Sequence, residues 1–281
     1  MPELPEVETV RRVLQDVLPS SLIRCVELHR QDMLEGISPD RFCSQLKGRR
    51  VLGVDRRGKF LLIRLDHGTM MVHLGMTGQI FLCYDRTCVP SLASHLPDRH
   101  THLILKLSCG AELYFRDSHR FGRYGLLRRE EETRLSARLG PEPLGSRFTA
   151  RRLTEILSGR RASIKALLMD QRVVAGMGNI YTDESLFRAG IDPRTPAGRL
   201  STERVAKLHR SLRRVLREGI YHGGTTLSDY LDPRHTRGSF QLQLRVYGRA
   251  GEPCVRCRAP IRKGRVAQRG THWCPRCQPW V

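Results

Sequence analysis

The sequence predicts an α+β protein: an N-terminal helix plus an antiparallel β-sandwich, followed by a helical domain that ends in a β-hairpin zinc ribbon. Three observations predict it. Short runs rich in β-branched and aromatic residues fill residues 20–128, as half-buried strands require. A break with two glycines and two prolines, RLGPEPLGSRF, precedes a series of capped helical patterns. Two CxxC pairs stand 16 residues apart near the C-terminus, a metal-binding arrangement.

The first helix is set by Val7, Val10, Leu14, Val17 and Leu18 at helical spacing, with Pro5 suited to the first turn. The strands are RVLGVDRR, FLLIRL, TMMVHL, HLILKL and ELYFR, separated by glycine-bearing turns. YDRTCVPSLASHLPDRH (84–100) is a long aperiodic loop expected to be mobile. Beyond the break, Thr149 caps a helix to Leu157, Ser163 one to Asp170, Asn179 begins one to Ala189, and Ser201 begins a long one to His222. HGGTTLSDYLDPRHTRGSFQ then reads as a flexible glycine-rich stretch. The expected boundaries are 1–135 for the sandwich domain, 136–148 for a linker, 149–240 for the helical domain and 245–281 for the ribbon.

The chain carries 49 Lys+Arg against 28 Asp+Glu, a net charge of +21. Charge this far from neutral repels itself in the compact state and suits a polyanion, phosphate backbones above all. A genome that favours arginine is the bland alternative, and only six of the 49 basic residues are lysine. No apolar run is long enough to cross a bilayer. The acidic start lacks the apolar core of a signal peptide, so an intracellular protein is expected. Of nine cysteines, Cys25, Cys43, Cys83, Cys88 and Cys109 are scattered among apolar stretches and read as reduced, mostly buried thiols.

The other four, Cys254, Cys257, Cys274 and Cys277, can supply four thiolates to one tetrahedral Zn2+. Four thiolates close the coordination sphere, so the zinc is structural and His272 is not a ligand; no organic cofactor is expected. The intervening RKGRVAQRGTHW forms a hairpin carrying Arg262, Lys263, Arg265 and Arg269, a cationic tip suited to DNA. In QRVVAGMGNIYTDESLFRAG, Gly176 and Gly178 lead into Asn179 and a helix, pointing N–H groups at an anion. A plain helix–turn–helix core would look the same. Lys165 on the helix upstream strengthens the case for a two-helix DNA clamp.

The opening MPELPEVETV places Glu3, Glu6 and Glu8 before any basic residue. Removal of Met1 leaves Pro2 with a free secondary amine beside the Glu3 carboxyl. An α-amine titrates near ~8, so a useful fraction is unprotonated at neutral pH. A secondary amine that attacks a sugar C1′ gives, after ring opening, an iminium that cannot shed its charge by deprotonating nitrogen, the electron sink that strand-cleaving elimination needs. The adjacent carboxyl can trade protons with the sugar or the departing base. Glu6 and Glu8 suit the helix dipole. The alternative is that PELPE merely starts a helix.

MPELPEVET, RRGKFLL, HLGMTG, RFG, LGPEPL, MGNIYTDESLFRAGI, GGTTL, VYGR and the four cysteines occur in this order over essentially the whole chain. Together they resemble the bacterial formamidopyrimidine-DNA glycosylases, bifunctional enzymes that remove oxidised purines from duplex DNA in base excision repair. Leucine at the fourth position, rather than glycine, favours this branch over endonuclease VIII. The resemblance implies a catalytic sandwich domain, a helix–two-turn–helix DNA-binding domain, a monomer with a cytoplasmic, nucleoid-associated location and no membrane, and damaged duplex DNA as partner. It implies Pro2 as nucleophile, Glu3 as its acid/base partner, Lys59 as an aid to β-elimination, and Arg269 as a phosphate clamp that assists δ-elimination. It implies backbone contacts for His73, His100, Arg161 and Asn179, and a structural or substrate-orienting carboxylate at Glu184.

A glycosylase that extrudes its base must fill the hole, at a cost of a few kcal/mol per unstacked step. Met76 and Phe121 match the family's wedge residues, though either alone reads as a core side chain. One position departs from the family. DSHRFG places His119 where the family has an arginine that bonds the orphaned cytosine, with Arg120 next to it. Neutral imidazole offers one donor where guanidinium offers five, so opposite-base discrimination is either weaker here or taken over by Arg120. The rivals are an endonuclease VIII-like preference for oxidised pyrimidines and a zinc-ribbon DNA-binding protein without catalysis.

Overall fold

A computed structural model describes residues 1–84, 96–227 and 230–280. It divides into two compact units, one of residues 1–137 with 222–239 and the other of 138–221 with 240–281. Among the described residues, no helix is long and apolar enough to cross a membrane.

The first unit opens with α1 (Leu4–Val17), which Glu3 caps through a capping box with Glu6. Val7, Val10 and Leu14 form its buried stripe against the sheets. Two four-stranded antiparallel sheets form the predicted sandwich. One holds β1 (Ile23–Leu28), β5 (Gln79–Tyr84), β6 (Thr101–Leu107) and β7 (Ala111–Arg116) in the order β1-β6-β7-β5. The other holds β2 (Val51–Arg57), β3 (Phe60–Leu65), β4 (Thr69–His73) and β8 (Arg123–Leu127) in the order β2-β3-β4-β8. Ile63, Met70, Val72, Ile80, Leu103, Leu105 and Phe115 fill one core between them. Burial of side chains this size contributes about 1.5–3 kcal/mol each.

Two helices have no counterpart in the sequence expectations. α2 (Pro39–Leu46) buries only Phe42 and Leu46, too short a stripe to show a period, although Ser38 before Pro39 is a helix-start signal. α3 (Arg129–Ala137) buries nothing; its signal is Glu130, Glu131 and Glu132 in the first turn.

The segment 222–239 clusters with the sandwich, whereas the sequence predicts a flexible stretch within the helical domain. Its hydrogen bonds explain the difference. Thr225 N–H donates to Glu6 Oε1 (2.7 Å), Tyr230 Oη to the Glu6 carbonyl (3.2 Å), and Leu82 N–H to the Pro233 carbonyl (2.9 Å). His235 stacks on Phe81 with centroids 4.6 Å apart. Most of the long loop expected to be mobile, residues 85–95, lies outside the described residues, as does Cys88. Cys83 corrects the expectation of reduced thiols: it is disulfide-bonded. Cys109 is exposed rather than buried. Sequence position alone does not show which thiols a fold brings within bonding distance.

The second unit holds α4 (Ala150–Leu157), α5 (Ile164–Met169), α6 (Asn179–Ala189) and α7 (Thr202–Tyr221). Thr149 and Ser163 cap α4 and α5 through their side-chain oxygens, as predicted. α6 is buried along nearly its whole length and packs on α5, α7 and the C-terminal hairpin. That hairpin is β9 (Arg262–Val266) with β10 (Arg269–Trp273), turned at Ala267 and Gln268, both with positive φ.

Candidate active site and nucleic-acid interface

Pro2 and Glu3 are buried at the head of α1. The buried Glu6 carboxylate fixes this end of the chain. Its Oε2 accepts the Glu3 N–H (2.8 Å) and its Oε1 accepts the Thr225 N–H (2.7 Å). Gly224 has φ +87°, and a Cβ there would lie 2.9 Å from the Glu6 side chain, so only glycine fits. The sequence reading assigned Glu6 to the helix dipole alone; its spacing of three from Glu3 was the available signal for a capping box.

Lys59 lies in the β2–β3 turn after Gly58. Glu8 ties that turn to α1, because Arg56 bonds Glu8 Oε2 (3.1 Å) and the Gly58 carbonyl (2.9 Å). Burial opposes ionisation of Glu8, but Arg11, Arg56 and Arg12 outweigh it and hold the carboxyl below its usual range. His73 ends β4 opposite Phe60, with ring centroids 4.8 Å apart. Burial, then the charges of Lys59 and Arg123, lower its pKa from 6.5 to about 4. Its Nδ1 accepts from Gly75 N–H (3.2 Å), so the neutral ring carries its proton on Nε2 and presents a donor. His100 is half-buried, and its ring accepts from Arg99 Nε at 3.1 Å.

Met76 and Phe121 are exposed, at 48% and 52%, so neither is the core residue its type suggests. Their loops abut: a Cβ on Gly75 would lie 2.5 Å from the Phe121 backbone. His119 is exposed and stacks parallel to Phe121, with centroids 6.0 Å apart and planes 4° apart. Arg120 is exposed, with φ +59°. The buried Asp117 organises this loop, accepting N–H from Gly122 (2.7 Å) and His119 (3.2 Å) and the Thr77 hydroxyl (2.5 Å).

In the second unit Arg269, Arg262, Lys263, Arg265 and Arg161 are all exposed. α6 begins at Gly178 without a side-chain cap, and the positive end of its dipole favours an anion there. Asn179 Nδ2 donates to the Gly270 carbonyl (2.9 Å), joining that helix end to β10 beside Arg269. Lys165 corrects the sequence reading. It is fully buried, its Nζ 2.6 Å from Asp183 Oδ1 and 3.1 Å from the Gly270 carbonyl, and so cannot meet DNA. Asp183 Oδ2 also accepts the His272 N–H (2.9 Å). Helical spacing left the direction of Lys165 undetermined, and the acid that neutralises it lies on another helix. Glu184 is buried too; its Oε1 accepts N–H from Arg245, Val246 and Tyr247 at 2.9–3.0 Å, and burial nevertheless pushes its carboxyl up.

The Sγ atoms of Cys254, Cys257, Cys274 and Cys277 lie within 4.8 Å of one another. Backbone N–H groups of Arg256 and Cys277 point at Cys254 and Cys274 Sγ (3.4 and 3.3 Å), and such donors stabilise the thiolate form. Four convergent sulfurs fit one structural Zn2+. Three family models match along the chain: the formamidopyrimidine-DNA glycosylase N-terminal domain over residues 1–124, its H2TH domain over 139–230, and the zinc finger found in FPG and IleRS over 251–279. The chain belongs to the formamidopyrimidine-DNA glycosylase family.

Relatives of that family match over the full length. The formamidopyrimidine-DNA glycosylase of Roseiflexus sp. is 46% identical over 99% of this chain and 100% of its own. That of Geobacillus kaustophilus is 43% identical over 99% of this chain and 100% of its own. A Lactococcus lactis FPG mutant in complex with DNA containing Fapy-dG superposes with a TM-score of 0.89 at 34% identity, covering 99% of this chain and 100% of the other. The MutM (FPG) protein of Thermus thermophilus superposes with a TM-score of 0.86 at 42% identity, covering 100% of both chains.

Proposed function

We propose that this member of the family excises 8-oxoguanine and formamidopyrimidines from duplex DNA through a Schiff base on Pro2, then cleaves the strand by β,δ-elimination. The observation that carries this reading is the doubly bonded, buried Glu6 carboxylate. It makes the head of the chain a built site rather than a frayed end, and pre-organisation of this kind is what attack by a chain-terminal nitrogen requires.

Once Met1 is removed, the Pro2 nitrogen bonds C1′ while the bond from C1′ to the base breaks. Glu3 moves protons between the sugar and the leaving base. A proton then passes to O4′ as the C1′–O4′ bond opens and the nitrogen becomes an iminium; this withdraws electrons from the opened sugar, so loss of a C2′ proton expels the 3′ phosphate and loss of a C4′ proton expels the 5′ phosphate. A one-nucleotide gap with phosphate at both ends results. Lys59 assists the first elimination, and Arg269 grips lesion phosphates and assists the second. His73 presents a neutral N–H to the backbone; His100, Arg161 and Asn179 add phosphate contacts. Met76 and Phe121 occupy the space of the extruded base. Cys254, Cys257, Cys274 and Cys277 would hold a zinc ion that would fix the hairpin carrying Arg269; the chemistry is left to Pro2 and its neighbours.

Borohydride reduction during reaction with an 8-oxoguanine duplex tests this. A covalent protein–DNA adduct is expected, located at Pro2 by peptide mapping. A pure DNA-binding protein would give no adduct, and a pyrimidine-directed enzyme would trap faster on thymine glycol.

A further inference from the structure

We infer that the outer face of α7 is a second DNA-binding surface, which grips the phosphates of an undamaged duplex while the lesion-bearing duplex lies elsewhere on the protein. This goes beyond the reaction proposed for Pro2 and does not depend on it.

The surface follows from the spacing of the helix. Val205, Leu208, Leu212, Val215 and Leu216 are buried, and α7 packs on α4 and α6. Lys207, Arg210, Arg214 and Arg217 are exposed, at steps of three, four and three residues. Such steps keep side chains on one line of a helix. Every exposed position from 207 to 217 is therefore a cation. The row is about 15 Å long at 1.5 Å per residue, and the exposed Tyr221 continues it.

Neighbouring acids do not neutralise the row. Among the described residues, Lys207, Arg210 and Arg217 form no ion pair. Arg214 reaches Glu218 (2.9 Å), but Glu218 is also held by the buried Arg188 (2.6 Å). Arg213, beside the row, donates to the carbonyls of Pro143, Leu144 and Gly145 rather than to an acid. Burial, then the Arg217 charge, lower its pKa. On α4, by contrast, Arg151 and Arg152 share Glu155. Like charges three and four residues apart oppose a helix, and a polyanion relieves that repulsion. One strand of duplex DNA presents a phosphate about every 3.4 Å of axis, about four over the length of this row.

The row stands apart from the lesion contacts. The phosphate-binding end proposed for α6 is its N-terminus at Asn179, whereas α7 is bonded to the other end. Arg204 Nη2 donates to the Gly190 carbonyl (3.4 Å), and Glu218 pairs with Arg188. Arg188 lies about 13 Å along α6 from Asn179 at 1.5 Å per residue.

Fluorescence anisotropy tests this on protein saturated with an unlabelled short duplex that carries a stable abasic-site analogue. A labelled undamaged duplex is then titrated. The loaded protein is expected to bind it, with an affinity that falls as salt rises. Lys207→Gln, Arg210→Gln and Arg217→Gln together should weaken that binding about 10-fold or more and reduce the salt slope by about 3. Affinity for the abasic duplex should stay unchanged. Arg210→Lys with Arg217→Lys keeps the charges and should retain the second duplex. Loaded protein that takes up no second duplex, or a triple-glutamine variant that holds it as tightly as the unsubstituted protein, would overturn the inference. So would a poly-glutamate chain bound in preference to the duplex.

Discussion

Glu6 and His73 show how single side chains set the head of the chain and its neighbourhood. Glu6→Ala leaves two buried N–H groups, of Glu3 and Thr225, without acceptors. At about 1–3 kcal/mol per unsatisfied group, a stability loss of about 2–6 kcal/mol is expected in urea denaturation, together with slower adduct formation under borohydride. His73 has a folded pKa lowered from 6.5 to about 4, first by burial and then by Lys59 and Arg123. A depressed histidine means that the unfolded chain binds more protons between those values. Its contribution is present in full above about 6.5 and is lost as pH falls toward about 4. Thermal midpoints should therefore fall faster over this window for the unsubstituted protein than for His73→Gln. Between pH 6.5 and 8 the imidazole should stay neutral, so a titration of activity there belongs to another group.

At the scale of elements, α6 and β10 behave as one piece because buried polar groups join them. Lys165 from α5, Asp183 from α6 and the Gly270 carbonyl from β10 form one bonded set. Lys165→Met strands the Asp183 carboxylate, and breaking a buried pair from one side costs about 3–5 kcal/mol. Adding Asp183→Leu should recover only part of that loss in denaturation curves, because the His272 N–H then lacks its acceptor. Glu184 works the same way on the stretch that leads into the zinc module. Glu184→Gln retains an oxygen for three N–H groups and should cost less than about 1.5 kcal/mol, whereas Glu184→Ala leaves all three unpaired and should exceed about 3 kcal/mol.

For the whole molecule, the net charge of +21 sets how it meets DNA. Each phosphate neutralised releases counterions, so the logarithm of affinity should fall linearly with the logarithm of salt. Fluorescence anisotropy should show that slope reduced by about 1 when Arg161 or Lys263 is replaced by glutamine. Chelation of zinc should unfold the ribbon and weaken DNA binding, while circular dichroism retains the signal of α7 and the sandwich.

The sequence by itself determined the elements whose signals are local. Helix α1, the capped α4 and α5, the strand-rich sandwich and the cysteine module were legible, because side-chain periodicity, caps and ligand spacing act within a few residues. Ordered motifs extended that reading to the family and to Pro2, Glu3, Lys59 and Arg269 as candidate reacting groups. Tertiary structure alone decided the rest. It turned Lys165 inward onto Asp183, 18 residues away, and fastened the glycine-rich segment to Glu6, 219 residues away. A hydrogen bond depends on where the backbone brings its two ends. Separations this long leave no trace in spacing, so the partner, the burial and the protonation that follow are properties of the folded chain.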